Sequence, residues 1–338
     1  MPESSLSVRK HAESPESPAL VGDHSSTQHE LTTGLQSRPA HIAPKYLYDT
    51  LGSKLFEAIC LLPEYYPTRT EAAILQAQSA AIAQAIGPGS VLIDLGAGNC
   101  AKAANLFPVL SPSHYVPVDI SADFLKKAIE PLRQRYPDIS ITPLGQDFSQ
   151  SLTLPATLPG EKRVFFYPGS SIGNFTPAQA TEFLQRLHVA GGPDATLLLG
   201  IDLVKDSAVL QAAYDDSLGV TAAFNLNILN HLNAVLGSNF QTVDWEHSAL
   251  FNPERHRIEM YLKARRKVDV HWLGHTRIFE KDECIHTENS YKYTRQSIAD
   301  LLQQAGFQEI AFWSDPHDWF SVVLARPLQT RPHIKRML

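Results

Sequence analysis

Asp94-Leu-Gly-Ala-Gly98 closes an apolar run that begins at Val91. A buried strand ending in two nearby glycines, Gly96 and Gly98, lets the backbone approach a nucleoside cofactor closely. The segment from Cys100 to Leu106 reads as the helix that would aim its amino-terminal end at that ligand. The spacing comes near the dinucleotide fingerprint, with Ala101 in place of the third glycine. Asp94 separates the two cofactor classes. Inside the strand, its carboxylate suits hydrogen bonds from the turn or from a cationic ligand and is badly placed beside a pyrophosphate. Asp119 ends a second apolar run from Tyr115, at the separation expected for accepting ribose hydroxyls, which both classes carry.

Further chemistry-bearing residues fall where the same sheet edge would gather them. Lys102 lies on the first turn of the predicted helix. Asp147 and Phe148 follow a third strand, where a carboxylate can accept from an adenine amine and a ring can pack on the base, or where Asp147 can cap a helix. The fourth strand runs into Tyr167-Pro-Gly-Ser-Ser-Ile-Gly-Asn-Phe-Thr-Pro177. In that loop Gly169 and Gly173 permit close backbone approach, and Asn174 offers both a donor and an acceptor. Cys100 has no activating base nearby and reads as an inert thiol. His271 and His275 stand four apart, but their segment reads as a strand running into Gly274, so no metal site is expected.

The elements that must position these residues are legible from composition and periodicity. The chain has 338 residues, 43% hydrophobic and 19% charged, with a net charge of -6, which gives no electrostatic footprint for nucleic acid or an anionic membrane. Three cysteines in no ligand spacing fit a reducing compartment, and neither a signal peptide nor a membrane span is legible, so the expected location is the cytoplasm. Residues 1–40 carry too few large apolar groups to offset ordering entropy and read as a flexible tail.

Beyond Lys45 apolar residues recur at helical spacing as far as Ile59, and a helix from about Arg69 to Ile86 leads into the glycine-rich strand. Strands are predicted at Val91–Leu95, Tyr115–Asp119, Ser140–Pro143, Val164–Tyr167 and Thr196–Ile201, with a helix between Ser121 and Arg135. From about Val204 to Ser290 the alternation breaks: two helical stretches, the second Ala222–Leu236, precede strands near Ile258–Ala264 and Val268–Trp272. A helix over Thr294–Ala305 and a hairpin of Glu309–Trp313 and Trp319–Ala325 complete a seven-stranded sheet with an antiparallel edge. This α/β plan resembles the Rossmann-like class I methyltransferase fold that binds S-adenosylmethionine.

Tyr48 with Phe56, Leu62-Pro-Glu-Tyr-Tyr-Pro-Thr-Arg69, Asp94-Leu-Gly-Ala-Gly98, Gly169-Ser-Ser-Ile-Gly-Asn174 and Thr287-Glu-Asn-Ser290 together resemble the histidine-specific methyltransferases of ergothioneine biosynthesis. The likeness spans about residues 41–327 in the same order. It implies transfer of three methyl groups from S-adenosylmethionine to the α-amine of L-histidine, giving hercynine. It also implies a substrate-binding α+β domain, 41–70 with 204–290, beside a methyltransferase domain, 71–203 with 291–328. By resemblance, Gly96, Lys102, Asp119, Asp147 and Phe148 would hold the cofactor. Tyr65, Asn174 and Tyr214 would hold the substrate's carboxylate and amine beside Gly169, and Glu288 and Ser290 its imidazole. Tyr48, Phe56 and Met260 would complete the pocket.

These assignments agree with elementary chemistry. Neutral imidazole has one donor and one acceptor, which a carboxylate and a hydroxyl satisfy together. A charged hydrogen bond of that kind is worth roughly 1.5–3 kcal/mol, enough to separate histidine from phenylalanine. An in-line displacement by the neutral amine needs alignment and no metal, and the oxygens of Asn174 and Tyr48 near aromatic faces would stabilise the cation. Tyr48 is the first choice for steering the amine's proton. A monomer is expected. The competing expectations are an N-methyltransferase for another amino acid such as tryptophan, which the carboxylate at Glu288 opposes, and a nicotinamide-dependent reductase, which Asp94 opposes.

Overall fold

Val91–Leu95 is buried at every position, which places it at the centre of a sheet covered on both faces. The computed structural model describes residues 23–328, and there this strand lies between His114–Asp119 and Arg163–Tyr167, parallel to both. Thr196–Asp202 follows in parallel beyond Arg163–Tyr167. Phe320–Pro327 then pairs antiparallel with it, and Phe307–Ser314 antiparallel with that strand. The far edge is one strand position in two pieces, Ser140–Ile141 and Leu144–Gly145, both paired to His114–Asp119. Pro143, with no N–H to give, falls in the gap of the strand expected over Ser140–Pro143. The seven strand positions of a class I methyltransferase sheet are all present, with the antiparallel hairpin at one edge.

The sheet is the middle of three layers. Ile93 and Leu95 pack with Phe183, Leu184 and Leu302 from the helices Pro177–Gly191 and Arg295–Gln304. Leu92 packs on the other face with Ile74, Ile82, Leu125 and Ile129 from Tyr66–Ala77, Ser79–Ile86 and Ala122–Arg135. The single helix expected over Arg69–Ile86 is thus two helices, and it begins earlier because Pro67 occupies a first-turn position where no N–H is needed.

A second sheet holds Ala40–His41, Cys284–Tyr291, Arg257–Ala264 and Trp245–Asn252, in that order. Helices Val220–Leu236 and Thr50–Ile59 join its apolar core, and the hairpin Val268–Trp272 with His275–Phe279 lies beside it. Of these strands, only Arg257–Ala264 and Val268–Trp272 were anticipated. The two units are tied where the chain leaves and returns, by a bridge between Leu203 and Tyr293.

Part of the expected amino-terminal tail is structured. Residues Asp23–Gln36 form a helix whose Leu31 and Leu35, four apart, are buried in the second core, and Ala40 follows them inside. Thr32 Oγ1 accepts from Trp272 Nε1 at 3.1 Å, and Arg277 donates to the carbonyls of Leu35 and Ser37. A few apolar anchors and a buried guanidinium at the helix carboxyl end outweigh the ordering cost that the composition of the segment suggested. The rest of the expected tail, 1–22, lies outside the described residues.

Candidate functional site

Gly96 and Gly98 both adopt positive φ, +73° and +51°, as the sharp exit from Val91–Leu95 requires. The Gly98 N–H donates to Asp119 Oδ2 at 3.0 Å and the Ser121 N–H to Oδ1 at 3.1 Å, so the strand-end carboxylate braces the glycine turn. Phe148 lies against the turn: a Cβ at Gly96 would stand 3.8 Å from its ring. Asp147 accepts from Ser149 N–H and, at 3.0 Å, from Lys45 Nζ. The Ser149 hydroxyl, with those bonds, overcomes the partial burial of Asp147 and holds its carboxyl below the usual range.

Near the turn the structure differs from two expectations. Asp94 accepts no hydrogen bond from the turn among the described residues. Its side chain shares a sheet face with Tyr115, whose hydroxyl donates to Asp94 Oδ2 at 2.7 Å, and burial pushes the carboxyl up to about 7. The helix expected over Cys100–Leu106 is a single turn, Ala101–Ala104, ending at Asn105, and Leu106 caps a second short helix, Phe107–Leu110, with Pro108 in its first turn. Cys100 itself is left-handed at φ +61°, and burial pushes its thiol up to about 12.

Glu71 joins this region to the loop after the fourth strand, and it carried no signal in the sequence beyond a lone acid in a helix. It is 1% exposed, accepting from Lys102 Nζ at 2.7 Å with one oxygen and from the Gly169 N–H at 2.7 Å with the other. Gly169 has φ +75°, and a Cβ there would come within 3.2 Å of Lys102 Nζ. The loop continues as the short turn Ser171–Asn174, and at Gly173 a Cβ would stand 2.7 Å from the Tyr291 carbonyl oxygen. Gly173 therefore lets Asn174 sit beside the strand Cys284–Tyr291. The Asn174 amide makes no side-chain hydrogen bond among the described residues.

Across that strand an aromatic cluster lies beside a group of polar side chains. Tyr48 meets Phe56 and Phe224 edge-on, with centroids 5.4 and 5.5 Å apart, and Tyr65 meets Phe56 and Tyr214 at 6.1 and 6.2 Å. Phe224 was missed because it falls in the apolar pattern of a core helix. Of the adjacent tyrosines, Tyr65 faces this cluster while the Tyr66 hydroxyl donates to Asp202. Burial, with Glu288 nearby, pushes the phenols of Tyr48 and Tyr65 well above their usual range.

Glu288 and Ser290 share the inner face of Cys284–Tyr291. The register runs Ile285 with Leu262, His286 with Tyr261, then Glu288 with Met260 and Ser290 with Ile258, leaving Thr287 as an extra residue. Glu288 is 7% exposed and its carboxylate has no hydrogen-bond partner among the described residues; burial pushes it up to about 7, against a counter-pull from Lys292. Ser290 Oγ and Tyr214 Oη are 2.7 Å apart, and both accept from Lys292 Nζ. Lys292 also pairs with Asp202, which Lys205 meets from the other side. Burial works to raise Asp202, but the two ammonium groups outweigh it and hold the carboxyl below its ordinary value. Asp202 and Lys292 went unnoticed in the sequence, although Lys292 continues the alternation of Glu288 and Ser290.

His271 and His275 lie in the hairpin, hydrogen-bonded to Thr276 and Gln36. Among the described residues no group of three or more His, Cys, Asp or Glu could hold a metal ion, and no helix is long and apolar enough to cross a membrane.

The profile of the family described as "Histidine-specific methyltransferase, SAM-dependent" matches residues 27–327. A histidine N-alpha-methyltransferase of Mycobacterium tuberculosis is 40% identical over 309 residues, covering 89% of this chain and 95% of that protein. One from Mycolicibacterium smegmatis is 39% identical, covering 88% and 93%. Ergothioneine biosynthesis protein 1 of Neurospora crassa is 28% identical over 85% of this chain and 33% of its own length.

Proposed function

Because this chain belongs to the histidine-specific, S-adenosylmethionine-dependent methyltransferases, we propose that it transfers three methyl groups to the α-amine of L-histidine, giving hercynine for ergothioneine biosynthesis. The names of its relatives support that reaction and that pathway.

The residues around the glycine turn fit the methyl donor. Nothing lies within 4 Å of a Cβ placed on Gly98, whose N–H meets Asp119, while the Phe148 ring lies by Gly96 and the Lys102 ammonium by Gly169. Asp119 would accept from the ribose hydroxyls, Asp147 from the adenine amine, and Phe148 would pack on the base. Lys102, with one ammonium hydrogen on Glu71, keeps two for the donor's carboxylate. When bound, S-adenosylmethionine supplies an electrophilic methyl on a sulfonium.

The chain's own groups then orient the amino acid. Glu288 accepts the ring N–H, Ser290 serves the other ring nitrogen, and Tyr65 faces the carboxylate, while the Tyr214 hydroxyl is engaged with Ser290 and Lys292. Asn174 and Tyr48 hold the amine with its lone pair free, so that each transfer begins from an aligned nitrogen. The faces of Tyr48 and Phe56 receive the methylated ammonium as its charge forms, and burial, which raises the Tyr48 phenol pKa, keeps that group neutral. Met260 fills the floor beside Glu288. The competing tryptophan reading finds no support in a buried, unpartnered carboxylate, nor does hydride transfer in a sheet that ends in an antiparallel hairpin.

The single observation that carries this reading is Glu288, a buried carboxylate with no hydrogen-bond partner among the described residues, two residues from a hydroxyl on the same face. Action as a monomer in the cytoplasm belongs to the proposal as well, and three free cysteines fit a reducing compartment. The test is calorimetric binding of histidine, phenylalanine and tryptophan in the presence of S-adenosylhomocysteine. Histidine should bind at least about tenfold tighter than either, and Glu288→Ala should abolish the preference. An unchanged preference in Glu288→Ala would overturn the assignment.

A further inference from the structure

Lys292 is buried and its ammonium has a partner for each of its three hydrogens: Asp202 Oδ2 at 2.7 Å, Ser290 Oγ at 2.8 Å and Tyr214 Oη at 2.9 Å. Backbone bonds fix its place. Its own N–H donates to the His256 carbonyl at 2.7 Å, and the N–H of Tyr293 donates to the Asp202 carbonyl at 2.9 Å.

An ammonium has no lone pair, so Lys292 makes both hydroxyl oxygens acceptors. Tyr214 and Ser290 lie 2.7 Å apart, so one of their two hydroxyl hydrogens is spent between them. A single hydrogen is left for anything in the pocket. The phenol is the more acidic partner and the better donor, which leaves the Ser290 hydrogen free. Ser290 shares a face with Glu288, whose carboxylate only accepts.

Building on the histidine reading above, we propose that Lys292 is a positioning residue for substrate specificity, which turns the Ser290 hydroxyl into a donor aimed at the substrate ring. The pocket then offers one acceptor, Glu288, and one donor, Ser290, the complement of a neutral imidazole. Without the ammonium both hydroxyls rotate freely, and Ser290 accepts as readily as it donates.

The test compares L-histidine with the two pyrrolylalanine isomers, which keep a ring N–H but lack the acceptor nitrogen. Affinities are measured by calorimetry with S-adenosylhomocysteine present, and the affinity for S-adenosylhomocysteine reports an intact fold. Wild type should favour histidine over the better pyrrole by at least about tenfold. Lys292→Met should lose about tenfold or more in histidine affinity, with pyrrole and S-adenosylhomocysteine affinities within about twofold of wild type. Added to Ser290→Ala, it should cost no more than about twofold further, since the two act as one unit.

Equal losses for histidine and pyrrole, or full additivity with Ser290→Ala, would overturn the role of Lys292. Should Lys292→Met not bind S-adenosylhomocysteine, Lys292→Gln, one atom shorter, uncharged and able to accept as well as donate, carries the same comparison. A wild type that binds pyrrolylalanine as tightly as histidine overturns the proposal whatever the variants do. One that binds neither overturns the histidine reading itself.

Discussion

Glu288 lies directly across from Met260 in the second sheet, and it does so because Thr287 is an extra residue in its strand. Side chains alternate along a strand, so without the bulge Glu288 would turn outward with His286, and Asn289 would turn in. The Thr287 hydroxyl pins the bulge, 2.7 Å from Asn225 Oδ1 and 3.2 Å from the Met260 carbonyl oxygen.

Thr287→Val keeps the shape and removes that hydroxyl, leaving the Asn225 carbonyl oxygen without its donor. The cost should be about 1–3 kcal/mol of stability, measured as the denaturant midpoint, with a parallel weakening of histidine binding as Glu288 loses its fixed aim. A variant as stable as wild type that binds histidine normally would show that the bulge holds itself.

Gly173→Ala brings a methyl to within 2.7 Å of the Tyr291 carbonyl oxygen, a distance that backbone must yield to. The turn carrying Asn174 should move away from the substrate strand. Steady-state kinetics should then give kcat/KM for histidine lowered by about tenfold or more, with S-adenosylhomocysteine binding little changed.

Glu71→Gln exchanges a charged acceptor for a neutral one between Lys102 and Gly169. Weakening both contacts should reduce affinity for S-adenosylhomocysteine by about tenfold, read by calorimetry. If affinity holds, Lys102 finds its place without Glu71.

Asp94 makes stability depend on pH. Its carboxyl is pushed up to about 7 in the folded protein, whereas the unfolded chain gives up the proton in the ordinary range near 3.8. Folding thus favours the protonated form, so this stability is full at low pH and falls as pH rises through about 4 to 7. Asp94→Asn should gain melting temperature relative to wild type at pH 8 and gain less, or nothing, at pH 5. Its S-adenosylhomocysteine affinity should stay within about twofold, as befits a carboxylate engaged with Tyr115.

The central strand Val91–Leu95 and its glycine exit were legible because a buried parallel strand is continuously apolar and positive φ leaves a glycine signature. Glu288 and Ser290 were singled out by the family resemblance, and their spacing of two puts them on one face of a strand, although the bulge that turns them inward leaves no mark on composition. Lys292 and Glu71 were missed for a different reason. A single charge in a periodic segment looks solvated until its partner is known, and their partners Asp202 and Lys102 lie far away in sequence. The helix Asp23–Gln36 was hidden because its two apolar anchors stand in a polar segment and pack on strands more than two hundred residues further on.

The most direct test of the account is to incubate the protein with S-adenosylmethionine and each of the common amino acids separately, and to follow the products by mass spectrometry. The prediction is a gain of three methyl groups on histidine, located on the α-nitrogen by fragmentation, with no comparable product from tryptophan or phenylalanine. Methylation of another amino acid in preference to histidine, or of none, would contradict it.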